Sequence, residues 1–141
     1  MYEQLGVGIS YAGIITMLIS VFTIISSVFA AKITVKLGTG LYTAISVSLT
    51  ALAMIGFSFS TAFWHLVVLT VPYGLGAGGV DASLNNYVAL HYKSRHMSWL
   101  HCFWGVGTII SPYVMAYALR SFRGWQGGYL IVGLIQCALA V

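Results

Sequence analysis

Long uncharged apolar runs fill most of the chain, and short polar breaks separate them. The runs are continuous, whereas the strands of a membrane β-barrel alternate in polarity over about ten residues. A spanning helix needs about 20 apolar residues to cross roughly 30 Å of hydrocarbon. The pattern therefore predicts an all-α, polytopic transmembrane helix bundle that forms a single domain. Its five spans, the last of them short, are expected at residues 8–31, 39–59, 63–90, 97–119 and 125–141.

The composition indicates that the solvent around this chain is the lipid bilayer. Hydrophobic residues make up 60% of the chain and charged residues 6%, whereas a soluble domain carries about 25% charged residues. The net charge of +4 is spread over the polar breaks. Nucleic-acid binding is not predicted, because no basic face exists that could follow a phosphate backbone.

Basic residues next to the spans predict the orientation. Four lie in breaks on one side and two on the other, namely Lys32, Lys36, Lys93 and Arg95 against Arg120 and Arg123. The positive-inside rule then places loops 32–40 and 91–97 in the cytoplasm, with the bundle in the plasma (inner) membrane. The chain would begin outside, which suggests that a helix is missing upstream.

Asp81 is the one charged residue inside an apolar run. On a helix Asn85 shares its face, and Asn86 lies about 100° further round. A charge at mid-bilayer costs at least about 2.5–3.5 kcal/mol, so it persists where it faces water or the bundle interior. We predict that these three side chains line a substrate or proton path. A structural hydrogen bond between helices is the alternative.

Prolines and glycines flank this level of the bundle: Pro72, Gly74 and Gly78 in the third span, and Gly105, Gly107 and Pro112 in the fourth. Proline removes a backbone hydrogen bond and favours a bend. The glycines permit either close helix packing or local unwinding, and the sequence leaves both open.

An antiparallel register about the turn near Ser94 predicts which residues of the fourth span lie level with Asp81. Trp104 and Thr108 fall at its depth, and His101 lies one turn nearer the cytoplasm. A histidine beside an acid can share a proton, and a tryptophan can stack on a flat apolar face such as a sugar ring. The alternative for His101 is an interfacial hydrogen bond to the loop.

No motif for catalysis or metal binding is present in the sequence. His91, His96 and His101 recur every five residues, whereas a helical metal site needs i, i+4 spacing. A nucleophile elbow, a phosphate loop and a paired carboxylate set are also missing. We therefore predict no enzymatic activity, no metal and no cofactor.

Three stretches resemble a known family: "GLGAGGVDASLNNYVALHY", "RHMSWLHCFWGVGTIISP" and "RGWQGGYLIVGLI". They are similar to the fourth helix, the start of the fifth and the beginning of the sixth in the amino-terminal half of major facilitator superfamily transporters. The fucose–proton symporter-like branch is the most similar. The resemblance implies that the five spans are the family's second to sixth helices. The first helix and the carboxy-terminal half of the transporter would then be missing partners of this chain.

The break "AKITVKLGTG" resembles the family's short cytoplasmic motif between the second and third helices. Lys36 stands at the position of its arginine and Gly38 at a retained glycine, while Lys32 is a further basic residue of this loop. The motif's aspartate and final basic pair are replaced. The charge relay attributed to the motif is therefore not expected here.

The resemblance implies a secondary active transporter that moves a small solute, with a sugar carried by proton symport as the leading hypothesis. Asp81 would be the proton-coupling or hydroxyl-binding acid and Asn85 its hydrogen-bond partner. His101 would tune the acid, and Trp104 would form a cavity wall. Two alternatives stay open: a drug or metabolite exporter of the same superfamily, and an inactive truncated product or membrane scaffold.

Overall fold

Five consecutive helices make up nearly all of residues 10–121 and 124–140, the part of the chain that the computed structural model describes. They are α1 (Ser10–Leu37), α2 (Thr39–Ser58), α3 (Phe63–His91), α4 (Ser94–Ser121) and α5 (Trp125–Ala140). The first four are long and apolar enough to cross a membrane, and α5 is a shorter apolar helix. The predicted all-α bundle of apolar helices is confirmed.

Helix α1 continues well beyond the span predicted at residues 8–31, because it ends only at Leu37. Lys32 and Lys36 are exposed side chains of this helix, so the prediction of a loop at 32–40 was wrong in extent. Charge ends an apolar run without ending a helix, since lysine is a good helix former with a long, flexible stem. Only Gly38 lies outside helical structure between α1 and α2.

The second predicted loop, 91–97, is also shorter in the structure. Helix α3 runs to His91 and α4 begins at Ser94, which leaves Tyr92 and Lys93 as the connection. Its backbone is held by the Tyr92 N–H, which donates to the Val88 carbonyl at 3.0 Å. We call the end of the bundle that carries Gly38 and this connection the Gly38 end. The opposite end, with the 59–62 connection, is the Ser60 end.

Gly38 makes the sharp α1–α2 junction possible. Its φ of 80° and ψ of 151° fall in a region that essentially only glycine adopts. Its N–H donates to the Thr34 carbonyl at 2.9 Å, and its carbonyl accepts from the Tyr42 N–H at 3.2 Å. The last turn of α1 and the first turn of α2 are therefore joined through this one residue.

Replacing Gly38 by alanine should destabilise the bundle by about 1–3 kcal/mol, because a Cβ makes this backbone conformation strained. The space beside Gly38 is open, with nothing within 4 Å of the position that a Cβ would take, so the cost is conformational and not steric. Reversible unfolding in mixed detergent micelles, followed by circular dichroism, measures it. Gly40→Ala is the matched control, because Gly40 also has open space but lies within α2. Equal stability of the two variants would contradict the assignment.

Helix α3 lies between α1 and α2, α5 packs against α2, and α4 packs mainly against α5. The buried apolar cluster at the Ser60 end joins Phe57, Leu66 and Trp125 from three helices. Ring contacts extend it, since the centroid of Phe57 lies 5.4 Å from that of Tyr129 and 5.9 Å from that of Tyr73. This cluster fixes the Ser60 end of α2, α3 and α5.

Glycines on one side of α3 seat it against α1. A Cβ at Gly74 would lie 2.7 Å from Cβ of Phe22, and a Cβ at Gly78 would overlap the Thr23 carbonyl oxygen. Since α3 stays helical from Phe63 to His91, these glycines act by close packing, and no local unwinding is observed. The sequence left close helix packing and local unwinding open for these glycines, and in the structure Gly74 and Gly78 pack closely.

Glycines on another side of α3 seat it against α2. A Cβ at Gly76 would lie 2.6 Å from the Ser46 carbonyl oxygen, and one at Gly79 would lie 2.5 Å from Oγ of the same serine. The backbones of α2 and α3 approach closely here because the glycines of α3 carry no side chain at the contact. Two faces of α3 are thus occupied by neighbouring helices.

Hydroxyl groups add hydrogen bonds at both of these contacts. The Ser26 hydroxyl of α1 donates to the Leu75 carbonyl of α3 at 2.6 Å. Oγ of Ser27 lies 3.4 Å from the Gly78 carbonyl oxygen, but its shorter bond, at 2.9 Å, goes to the Thr23 carbonyl within α1. On the other side, the hydroxyls of Thr43 and Ser83 lie 2.9 Å apart. Interhelical hydrogen bonds of this kind contribute about 0.6 kcal/mol each on average in membrane proteins.

Candidate functional site around Asp81

Asp81 lies on α3 about one turn beyond Gly78, where the contact with α1 gives way to an open face. Its side chain is exposed, although the glycines that precede it are buried. Nδ2 of Asn85 donates a hydrogen bond of 3.0 Å to Oδ1 of Asp81. This bond follows from the i, i+4 spacing, which places both side chains on one face of the helix.

The amide of Asn85 is satisfied on one side only. Its Oδ1 is buried and has no hydrogen-bond partner among the described residues. The orientation of an amide follows from its hydrogen bonds, and here the donor group faces the carboxyl. The carboxyl of Asp81 accepts from this donor, and Oδ1 of Asn85 has lone pairs left to accept a further hydrogen bond. The pair therefore offers hydrogen-bonding capacity beyond its own internal bond.

The other predicted site residues do not bond to Asp81 or Asn85 in the described structure. Asn86 is exposed on a different side of α3. On α4, Nδ1 of His101 pairs with the Met97 carbonyl at 2.9 Å, and the Thr108 hydroxyl donates to the Gly105 carbonyl at 2.7 Å. Both bonds stay within α4, and α4 contacts α3 only sparsely. Of the six predicted polar-site residues, the structure joins Asp81 and Asn85 alone.

Helix α4 is the least covered of the long helices. Ala118 is its one buried residue over positions 94–120, and Trp104 is 72% exposed. Alanine methyl groups placed at Gly105 and Gly107 would meet nothing within 4 Å in the described part of the chain. These glycines do not pack against α1, α2, α3 or α5. The helix also continues through Pro112.

The sequence interpretation did not identify the hydroxyl groups that hold α3 in position. Ser26 and Ser83 are buried, at 6% and 1% exposure, and both bond across a helix interface. A signal was present, since Thr23, Ser26 and Ala30 recur at the spacing that places small residues along one face of a helix. Within residues 10–121 and 124–140, no group of three His, Cys, Asp or Glu side chains could hold a metal ion.

Comparison with known proteins adds independent information. The model of the Major Facilitator Superfamily matches residues 1–141. The niacin transporter NiaP of Acinetobacter baylyi is 27% identical over 114 residues, which cover 78% of this chain and 26% of that protein. The phosphoglycerate transporter protein of Salmonella typhimurium is 28% identical over 137 residues, covering 92% of this chain and 29% of that protein. No solved structure gives a significant match.

Proposed function

Since the chain belongs to the major facilitator superfamily, we propose that it forms part of a secondary transporter that moves a small solute across a membrane. The chain spans 26% and 29% of the two curated relatives, both named as transporters. Its helices α1 to α5 then correspond to the second to sixth helices of the transporter. The first helix and the carboxy-terminal half, supplied by the rest of the transporter, complete the solute path.

The observation that carries this proposal is the exposure of Asp81 on a helix that is otherwise closely packed. Two faces of α3 are occupied through Gly78 and Gly76, and among the described residues the side chain of Asp81 bonds to Asn85 of its own helix. A carboxyl in this position is stable where it faces water or a polar partner, since exposure to acyl chains is costly. We assign to Asp81 the binding of the coupling proton or of a solute hydroxyl, with Asn85 as its partner.

The charge distribution favours a neutral, hydroxyl-bearing solute such as a sugar. Between Leu41 and Leu90 the described helices carry one acid, Asp81, and no lysine or arginine. An ionised carboxyl accepts hydrogen bonds from hydroxyl groups and repels anions. The relatives' names refer to niacin and phosphoglycerate, and those solutes provide the comparison in the test.

Counterflow in proteoliposomes that contain the whole transporter tests the proposal. Vesicles are loaded with unlabelled solute, and uptake of the same solute, radiolabelled, is measured without any ion gradient. We expect transient accumulation with a sugar, and none with niacin, phosphoglycerate or a cationic drug. Accumulation of the cationic drug alone would favour an exporter. Absence of counterflow with every class, in vesicles where the protein is inserted, would contradict the transporter assignment.

We further place the Gly38 end in the cytoplasm, in the plasma membrane. This placement is supported by the number of basic side chains at each end. The Gly38 end carries Lys32, Lys36, Lys93 and Arg95, whereas the described part of the Ser60 end carries Arg120. Lysine and arginine are retained on the cytoplasmic side during insertion. Labelling of a cysteine introduced at Lys93 by a membrane-impermeant maleimide, in intact and in permeabilised cells, reports the side directly.

A further inference from the structure

An open groove of about 400 Å³ lies at the Gly38 end between α2, α3 and α5. Its walls are mainly apolar, and they come from the first turns of α2 and the last turns of α3 and α5. The lining includes Thr39, Ala44, Val47, Leu84, Tyr87 and Leu139. From Thr39 to Val47 the groove follows α2 for about 12 Å, at 1.5 Å per residue. This length accommodates part of an extended acyl chain.

The mouth of the groove is aromatic, and two lysines lie close to its lining residues along the chain. The Tyr87 ring, which lines the groove, stacks on the His91 ring with centroids 4.4 Å apart. The centroid of the Tyr92 ring lies 6.1 Å from that of the Tyr87 ring. Lys93 follows Tyr92, and Lys36 lies three residues before Thr39. Both lysines are exposed. Tyrosine rings and lysine side chains are the groups that proteins place at the level of lipid headgroups.

Charge complementarity identifies the occupant. Within the described residues the only acidic side chain is Asp81, six positions before Tyr87 and further from this end, so none of the described side chains at the mouth is acidic. A lipid without net charge gains less from the two lysines than a lipid with an anionic headgroup, which is attracted by each of them. The groove is open along its length, so a lipid can enter it sideways from the bilayer.

We propose that this groove binds one acyl chain of an anionic phospholipid, whose phosphate lies between Lys36 and Lys93. The site requires only that the chain is embedded in a membrane, so it does not depend on the proposed transport activity. Leu84, Val47 and Leu139 contact the chain, and Tyr87 lies at the boundary between chain and headgroup. The lysines supply the preference for negative charge, since any phospholipid offers an acyl chain.

Photocrosslinking of the chain in phosphatidylcholine nanodiscs tests the proposal. A trace of phosphatidylglycerol carries a diazirine in the middle of one acyl chain, and mass spectrometry locates the adducts. We expect adducts concentrated in residues 39–47 and 84–87, relative to the exposed face of α4. Unlabelled phosphatidylglycerol should compete roughly 25-fold better than phosphatidylcholine, which corresponds to about 1 kcal/mol for each of two basic residues. Glycerol phosphate in solution should not compete.

Two pairs of variants separate the groove from its charge. Ala44→Phe fills the groove and should abolish these adducts, whereas Ala116→Phe, on the exposed face of α4, should leave them unchanged. Lys36→Gln should lower the preference for phosphatidylglycerol roughly five-fold, whereas Arg120→Gln at the Ser60 end should not. Equal competition by the two lipids would overturn the proposal. Uniform labelling of all helices would also overturn it. So would the finding that no lipid labels the groove because protein covers it.

Discussion

Replacing Asp81 by asparagine in the whole transporter should reduce solute uptake driven by a pH gradient to the level of protein-free liposomes. Asparagine has nearly the shape of a protonated aspartic acid but cannot release a proton. Nδ2 of Asn85 would also lose its charged acceptor at 3.0 Å. The amount of variant in the membrane should be unchanged, because Asp81 is exposed and its hydrogen bond within the described part of the chain stays inside α3. Uptake of labelled solute into acid-outside vesicles, normalised to inserted protein, is the measurement.

Asp81→Glu is the matched control, because it moves the carboxyl by one methylene and keeps an acidic group at this position. It should retain pH-driven uptake that the asparagine variant lacks. Counterflow without a gradient separates the two roles assigned to the acid. If Asp81 only couples the proton, the asparagine variant still exchanges solute, and if Asp81 binds a solute hydroxyl, exchange is weakened as well. Full pH-driven uptake by the asparagine variant would refute both roles.

Gly78→Ala should destabilise the bundle by about 1–3 kcal/mol, the usual cost of adding a methyl group to a filled interface. The new Cβ would overlap the Thr23 carbonyl oxygen and lie 3.0 Å from Cβ of Ser26. A backbone oxygen cannot rotate away, so α1 and α3 must separate. The separation also lengthens the hydrogen bond from Ser26 to the Leu75 carbonyl, which is 2.6 Å long.

Gly107→Ala is the control for this prediction, since it makes the same change within a helix where nothing lies within 4 Å. It should leave stability unchanged or raise it by up to about 1 kcal/mol, the difference in helix propensity. Unfolding of both variants in mixed detergent micelles, followed by helicity, gives the comparison. The packing assignment fails if Gly78→Ala is as stable as the unmodified chain.

The helices were predictable because lipid imposes a simple requirement on the sequence. A run of apolar residues of spanning length becomes a helix in which every backbone group is paired. For this reason α2 starts at Thr39 and α3 at Phe63, where the apolar runs of the sequence begin. The end of α1 does not follow the apolar run, because Lys32 and Lys36 limit that run but favour the helix. Its true end is set by the conformation of Gly38.

The candidate site was predictable only where it depends on a single helix. The contact between Asn85 and Asp81 follows from i, i+4 spacing and is present. The expected grouping with His101 and Thr108 depended on matching the depths of two helices about a turn. Depth does not determine how far apart two helices lie or which faces they turn to each other. In the structure α4 contacts α3 only sparsely, so this information was not contained in the local pattern.

The seating of α3 by glycines and hydroxyls has a mechanical consequence for the bundle. Tilting α1 or α2 away from α3 must break close backbone contacts together with interhelical hydrogen bonds. Helix α4 has Ala118 as its one buried residue over positions 94–120, and it joins α3 through Tyr92 and Lys93 alone. A displacement of α4 about that short link therefore disturbs mainly its contact with α5, whereas a displacement of α1 or α2 would break the close contacts with α3.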